Sequence, residues 1–350
     1  MAEARVPVIL DVDTGVDDCI ALLYAVASPN VELVAATCCA GNVVAPRAAA
    51  NTLAVLELAG SGDVDVAVGS LAPLVAPLRT AISHGPDGLG YAELPEARRA
   101  LSSRFAPDLL VEEARRRPGA ITLVATGPLT NVALALERDR DLPRLLRRLV
   151  AMGGSFDHSG NTTPVAEFNV LVDPEAAKIV VDAFARSGSA RPLLCGLNVT
   201  ERAECRPDHV RRLAQLAGST PEESLDPDDP AGTRSGASNP LVRCISDALR
   251  FKMEANLRFG QGYVAHLHDP FALALALDGS LGETRAGTVD VELDGSLTRG
   301  MTVVDWHGLW GRAPNADVAV QIDAERLLGE LVGRIAALAS RLHGANVAEQ

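Results

Sequence analysis

The chain lacks any apolar run long enough to cross a bilayer, which leaves no candidate for a transmembrane helix. Its N-terminus, MAEARVPVILDVD, lacks the apolar h-region of a signal peptide and runs almost directly into a first strand, so a cytoplasmic protein is expected. It also lacks an excess of positive charge. With 32 Lys and Arg against 45 Asp and Glu the net charge is −13, which argues against nucleic acid or an anionic membrane as a partner. There is no CxxC spacing. Cys19, Cys38, Cys39, Cys195, Cys205 and Cys244 sit mostly in apolar patterns and read as buried free thiols, not as zinc ligands or a disulfide framework. Internal repeats and low-complexity tracts are missing too. Nothing marks a domain boundary, and the 350 residues read as one domain whose 47% hydrophobic content suffices for a sizeable core.

What is present alternates. VPVILDV, VELVAAT, VDVAVG, AITLVAT, RLVAMGG and RPLLCGLNV read as strands rich in β-branched residues. Between several of them lie helical patterns such as DDCIALLYAVAS, RAAANTLAVLELAG and PLTNVALALE. This order implies βαβ units, a mostly parallel sheet and helices on both faces. Another helix is expected at Asp173, with Asp173 as N-cap, Pro174 at the first position and Glu175 in the first turn. Residues 219–239 are polar and rich in Pro, Gly and Ser, hence a loop. Helical pattern resumes at LVRCISDALRFKMEANLRFG, and TRAGTVDVELDG with TRGMTVVDWHG alternates like an antiparallel pair appended to the sheet.

Four aspartates, Asp11, Asp13, Asp17 and Asp18, fall between the first strand and the first helix. Carboxylates this close repel one another and cost desolvation unless something positive sits among them. A divalent cation is the simplest answer, and oxygen donors suit Ca²⁺ or Mg²⁺ rather than zinc. Helix capping by Asp17 and Asp18 accounts for one or two acids, not four. An EF-hand loop needs Gly at its sixth position and Glu at its twelfth, where the chain has Val16 and Leu22. A haloacid-dehalogenase-type phosphatase wants D-x-D-G-T, and the chain reads D-V-D-T-G.

Ligands of an open parallel sheet bind beyond the carboxyl ends of its strands. Further polar clusters fall at such ends: Gly41-Asn42, Thr126 to Asn131, Met152-Gly153-Gly154 running on to Asn161 and Glu167-Phe168-Asn169, and His268-Asp269-Pro270. Taken singly, each has an ordinary reading. Asn161, Glu167 and Asn169 suit a polar loop that bonds to itself, His268 a histidine satisfying backbone groups, and His84 a surface-loop histidine. Gly85, Gly88 and Gly90 read as backbone necessities, since GPDGLG does not join strand to helix as a phosphate loop does. Trp306 and Trp310 read as structural, with stacking on a base left open.

Taken together and in order, the clusters resemble the inosine-uridine preferring nucleoside hydrolase family. DVDTGVDD, AGN, HGPDGLG, ATGPLTN, MGG, NTTPVAEFNVLVDPEAA, HDP and TRGMTVVDWHGLWGRAPNADVAV carry the resemblance, from Asp11 to about Val320. It implies a doubly wound α/β fold with an antiparallel C-terminal extension. It also implies hydrolysis of the N-glycosidic bond of ribonucleosides to free base and ribose. The cofactor would be Ca²⁺, bound by the carboxylates of Asp13, Asp18 and Asp269 and the main-chain carbonyl of Thr126, with the ribose diol and a water completing the shell. Asp13 would take the proton of that water, and Asn42 would orient it. Asp17 and Asn169 would hold the ribose hydroxyls, Asn161 and Glu167 the 5′-hydroxyl, with Phe168 between them in the substrate-binding segment. Met152 would line the ribose, His84 would face the base, and His268 would protonate or hydrogen-bond the leaving group. A homodimer or homotetramer is implied as well. Thr14 and Asn198 depart from the family's usual Pro and Asp. Two other readings stand beside this one: a nucleoside-binding protein without turnover, and a metal-dependent phosphohydrolase. Base preference is not written in the sequence, although residues 219–239 and the helix around Phe251 to Phe259 are expected to close over the base.

Overall fold

A computed structural model describes residues 5–348. Its strands are β1 (Val6–Val12), β2 (Val31–Cys38), β3 (Asp65–Val68), β4 (Thr122–Ala125), β5 (Arg148–Met152), β6 (Leu193–Cys195), β7 (Glu204–Cys205), β8 (Ala265–His266), β9 (Gly282–Val291), β10 (Thr302–Asp305) and β11 (Ala316–Ile322). Nine of them form one sheet in the order β10-β9-β11-β6-β5-β4-β1-β2-β3. Strands β1 to β6 pair in parallel, and the winding direction reverses between β1 and β4. That is the doubly wound arrangement, with its ligand crevice expected at the reversal.

Side chains of a strand alternate between faces, and β1 shows why the sheet needs helices on both. Val8, Leu10 and Val12 belong to a core with helices Val16–Ala27, Ala45–Leu58, Pro240–Arg258, His268–Leu277 and Ala324–Ala348. Ile9 belongs to a second core with helices Ala106–Arg116, Thr130–Arg138 and Pro174–Ser187. Each such fully buried Val, Leu or Ile contributes about 1.5–3 kcal/mol. Asp173 caps its helix as expected, accepting the Ala176 N–H at 3.0 Å. All six cysteines are buried free thiols.

Three expectations need correction. RPLLCGLNV is strand only over Leu193–Cys195, because Gly196 opens a short helix, Leu197–Thr200. The C-terminal pair β9–β10 forms, but a strand not assigned above, β11, joins it to the sheet by pairing parallel with β6 and antiparallel with β9. His268 does not end a strand of the main sheet: β8 pairs only with β7 in a separate two-stranded ribbon. Among the described residues no helix is long and apolar enough to cross a membrane.

Candidate active site

The aspartates form the floor of the crevice at the reversal point. β1 ends at Val12, so Asp13 stands just past the sheet, and the first turn of the following helix carries Asp17 and Asp18. Asp269 enters from the first turn of helix His268–Leu277. All four are buried. One carboxylate oxygen each from Asp17, Asp18 and Asp269 lie within 4.8 Å of one another. Asp13, which the expected ligand set includes, lies against Asp18 and is gripped by Asn42, whose backbone N–H donates at 2.6 Å and whose Nδ2 donates at 3.1 Å. The same Nδ2 reaches Asp18 at 3.3 Å, and Asp18 also accepts from the Gly15 N–H at 2.9 Å and the Thr126 hydroxyl at 2.7 Å. Asp17 Oδ1 is buried with no hydrogen-bond partner.

Two glycines allow this crowding. A Cβ on Gly41 would lie 2.1 Å from Asp13 Oδ2, and one on Gly15 would lie 2.3 Å from His84 Nδ1. No larger residue fits either position without displacing a site side chain.

Electrostatics point the same way for Asp13, Asp18 and Asp269. Burial, then the charge of Asp18, holds the Asp13 carboxyl well above the usual carboxylate range. Burial, then the charges of Asp17, Asp18 and Asp13, does the same to Asp269. Burial and then Asp17 raise Asp18. A cluster that resists ionisation this strongly calls for a positive charge. The fourth aspartate of the sequence, Asp11, sits apart. Burial pushes it up to about 7 against the hydrogen bonds it accepts from Asn131 Nδ2 at 2.8 Å and Thr37 Oγ1 at 2.6 Å. Those bonds tie β1 to β2 and to the helix after β4.

Above the floor lies a cavity of about 450 Å³. Asp17, Asn42, Thr126 and Asp269 face it from below, while Asp13 and Asp18 lie beneath. Met152, Asn161, Glu167, Phe168 and Asn169 form one wall. Asn169 Nδ2 donates to the Thr126 carbonyl at 2.7 Å and to the Met152 carbonyl at 3.2 Å, so one amide locks the ends of β4 and β5 together. Glu167 caps the helix Phe168–Val172. Its carboxylate accepts the N–H groups of Asn169 at 2.8 Å, Gly154 at 3.0 Å and Val170 at 3.1 Å. Burial outweighs those bonds and lifts it to about 6. Asn161 is exposed and its Oδ1 accepts the Phe168 N–H at 3.0 Å.

The opposite wall holds His84 and His268, with several residues that the motifs did not flag: Thr80 to Ser83, Glu201, Lys252, Asn256, Phe259, Gln261 and His266. The helix Pro240–Arg258 thus does face the cavity, through Lys252 and Asn256 one turn apart. The loop 219–239 does not. It is strapped along the far side of that helix, where Arg250 donates to Asp229 at 3.0 Å, Glu254 accepts from Gly232 at 3.2 Å and Asp247 accepts from Ser235 at 2.7 Å. Each anchor lies on the helix itself, on residues other than the two that face the cavity. Burial, then His266 and Lys252, push the His268 imidazole well below the ordinary value, and its Nδ1 sits 2.8 Å from the Thr200 hydroxyl. His84 is pushed down to about 3, mainly by burial and then by Lys252. The spacing of Lys252 and Asn256, four apart in an apolar helical pattern, was the available signal for the second wall.

Neither departure from the family pattern touches the cavity. The Thr14 hydroxyl pairs with that of Thr52 at 2.5 Å, and Asn198 Nδ2 donates to the Ala319 carbonyl at 2.9 Å. Trp306 and Trp310 do not line it either; Trp306 Nε1 donates to Asp157 at 2.6 Å.

Comparison with known proteins gives a consistent picture. The profile of a family described as inosine-uridine preferring nucleoside hydrolase matches residues 8–329. A pyrimidine-specific ribonucleoside hydrolase RihA of Citrobacter koseri is 37% identical over 95% of this chain and 99% of its own length. The protein of the same name from an Enterobacter species is 38% identical over 96% and 99%. Among solved structures, a plant nucleoside hydrolase superposes with a TM-score of 0.82 at 32% identity, covering 95% of this chain and 99% of that one. A purine-preferring ribonucleoside hydrolase from Gardnerella vaginalis gives a TM-score of 0.83 at 28% identity over the same shares.

Proposed function

The chain belongs to the inosine-uridine preferring nucleoside hydrolase family, and from that premise we propose that it releases free base and ribose from ribonucleosides with Ca²⁺ as cofactor. The observation that carries the cofactor is the acidic floor: the buried carboxylates of Asp13, Asp17, Asp18 and Asp269, with no histidine or cysteine among the three that lie within 4.8 Å of one another. An all-oxygen set of this kind fits Ca²⁺. Asp13, Asp18 and Asp269, with the Thr126 carbonyl, would hold the ion. A bound cation supplies charge that makes a water easier to deprotonate and anchors a vicinal diol.

The chain's own residues do the rest. Hydrolysis passes through an oxocarbenium-like sugar, so a nucleophile must be delivered to C1′ and the base must be eased away. Asp13, fixed by two donors from Asn42, accepts the proton of the attacking water. The unpartnered Asp17 oxygen accepts from a ribose hydroxyl, and Asn169, held by Thr126 and Met152, sets that hydroxyl's position. Glu167 already accepts three backbone N–H groups, so the 5′-hydroxyl takes a remaining lone pair, while Asn161 Nδ2 is left to donate. His268 acts as a neutral hydrogen-bonding group to the base.

The relatives at 37–38% identity bear the name pyrimidine-specific, and a structural neighbour at 28% bears the name purine-preferring. Uridine and cytidine are therefore the first substrates to try, with inosine beside them. Base release from such a panel, with and without a chelator, tests the reading. Because the ribose diol is part of the binding scheme, ribonucleosides should exceed 2′-deoxyribonucleosides in kcat/KM by on the order of 10⁴-fold. Equal rates on uridine and 2′-deoxyuridine would sink the scheme. Release of phosphate from nucleotides without base release would instead favour a phosphohydrolase.

A further inference from the structure

His84 and Lys252 both line the cavity and meet side by side, in a way that the steps above do not use. The Val16 N–H donates to His84 Nδ1 at 3.0 Å, which places the hydrogen of the neutral ring on Nε2. That Nε2 lies 3.1 Å from Lys252 Nζ. An ammonium has only donors, so two donors meet and neither satisfies the other. The other near partner of Nζ is Ser83 Oγ, at 3.5 Å. Lys252 is buried and lines the cavity, yet among the described residues it makes no ion pair. With the Ser83 hydroxyl as its one near acceptor, the Lys252 ammonium has donors left over. Both groups sit on fixed backbone, Lys252 within helix Pro240–Arg258 and His84 in the turn Ile82–His84.

We infer that Lys252 Nζ and His84 Nε2 form a two-donor clamp for an acceptor atom of the nucleobase, an exocyclic oxygen or ring nitrogen that gains negative charge as the glycosidic bond breaks. The inference rests on the nucleoside hydrolase reading. An acceptor between the two donors satisfies both, as in an oxyanion hole. In the reaction, the C1′–N bond breaks with its electron pair passing into the base. The water oxygen bonds to C1′ and its proton goes to Asp13. The clamp donates hydrogen bonds to the base anion without giving up a proton. The proton on Asp13 then returns through solvent to the free base, so the products are ribose and neutral base.

The test compares leaving groups that need the clamp with one that does not. In 4-nitrophenyl riboside the departing anion is stabilised by its own nitro group. Lys252→Met keeps the apolar stem and removes the donors. It should lose about 100-fold in kcat/KM on uridine or inosine, the usual effect of deleting one donor to a developing anion. The loss on 4-nitrophenyl riboside should be at least tenfold smaller. Lys252→Arg, which restores donors, should recover part of the loss on nucleosides. A structural role would lower all substrates alike, so an equal loss on both classes, or no loss on either, overturns the clamp. If Lys252→Met fails to melt cooperatively, Lys252→Gln is read by the same ratio. Failure of the underlying reading shows separately, as no base release by the wild-type protein from any nucleoside.

Discussion

Calcium should raise the melting temperature of this protein, and removing one carboxylate from the floor should do so as well. Asp17, Asp18 and Asp269 offer oxygens within 4.8 Å of one another. Two unit charges at that separation repel by roughly 3 kcal/mol at an effective dielectric of 20. The fold evades part of this cost by keeping protons on the cluster, which is what the raised carboxyls express. A cation at about 100 times its Kd adds ~2.7 kcal/mol of stability. For 350 residues the unfolding entropy is roughly 0.7 kcal/mol per kelvin, so the melt should move up by about 4 °C. Asp269→Asn sharpens the argument. Asp269 takes part in no side-chain hydrogen bond within the cluster, so the substitution removes a charge and little else. Under chelation this variant should melt above the wild type, and calcium should move it much less. The measurement is scanning calorimetry at pH 7 in chelator and in excess calcium. An Asp269→Asn protein that melts below the wild type in chelator would refute the repulsion argument, and a wild type indifferent to calcium would refute the cation.

Other consequences follow from the same geometry. Asp13→Ala should lower kcat by about 10²- to 10⁴-fold with the fold retained, as expected for loss of a positioned base; near-normal turnover with unchanged circular dichroism would remove Asp13 from that role. His268→Ala should slow nucleosides with poor leaving groups most, seen as a steeper dependence of kcat on leaving-group acidity, and a parallel line would count against it. Glu167 has a folded value of about 6 against an ordinary 4.5. The native state therefore holds more protons than the unfolded chain in that window, and stability falls as pH rises through it. Relative to Glu167→Gln, the wild type should lose about 2 kcal/mol in all as pH rises from well below 4.5 to well above 6, with about 1.3 kcal/mol of it lost between those two values. Denaturant melts at a series of pH values check this, and equal slopes would contradict it.

Much of this protein could be read from its residues in order. The alternation of apolar runs gave β1 to β5 because parallel strands buried on both faces are near-continuous in Val, Leu, Ile and Ala. Asp173-Pro174-Glu175 marked a helix start because capping is a local interaction. The first aspartates, Asn42 and Thr126 stood out because they follow strands of a parallel sheet, whose carboxyl ends are where ligands bind; Asn169 and Asp269 stood out only through the family resemblance. The short strand β6 was overrun, since a three-residue strand has too little periodicity to distinguish from the helix behind it; β11, seven residues long, went unassigned. Residues 219–239 were assigned to the cavity on composition alone, and composition does not say which face of a helix a loop follows.

By itself the sequence determined the winding, the family and the acidic floor, because hydrophobic period, cap residues and charge density are properties of neighbours along the chain. Tertiary structure decided the remainder. Asn42 grips Asp13 across 29 positions, and Thr126 reaches Asp18 across 108. His84 and Lys252 stand 168 positions apart and acquire a joint meaning only at 3.1 Å, with the Val16 N–H fixing which ring nitrogen carries the hydrogen. A lone His and a lone Lys imply little in a sequence. Two buried nitrogens 3.1 Å apart beside a cavity carry more, and only folding brings them together.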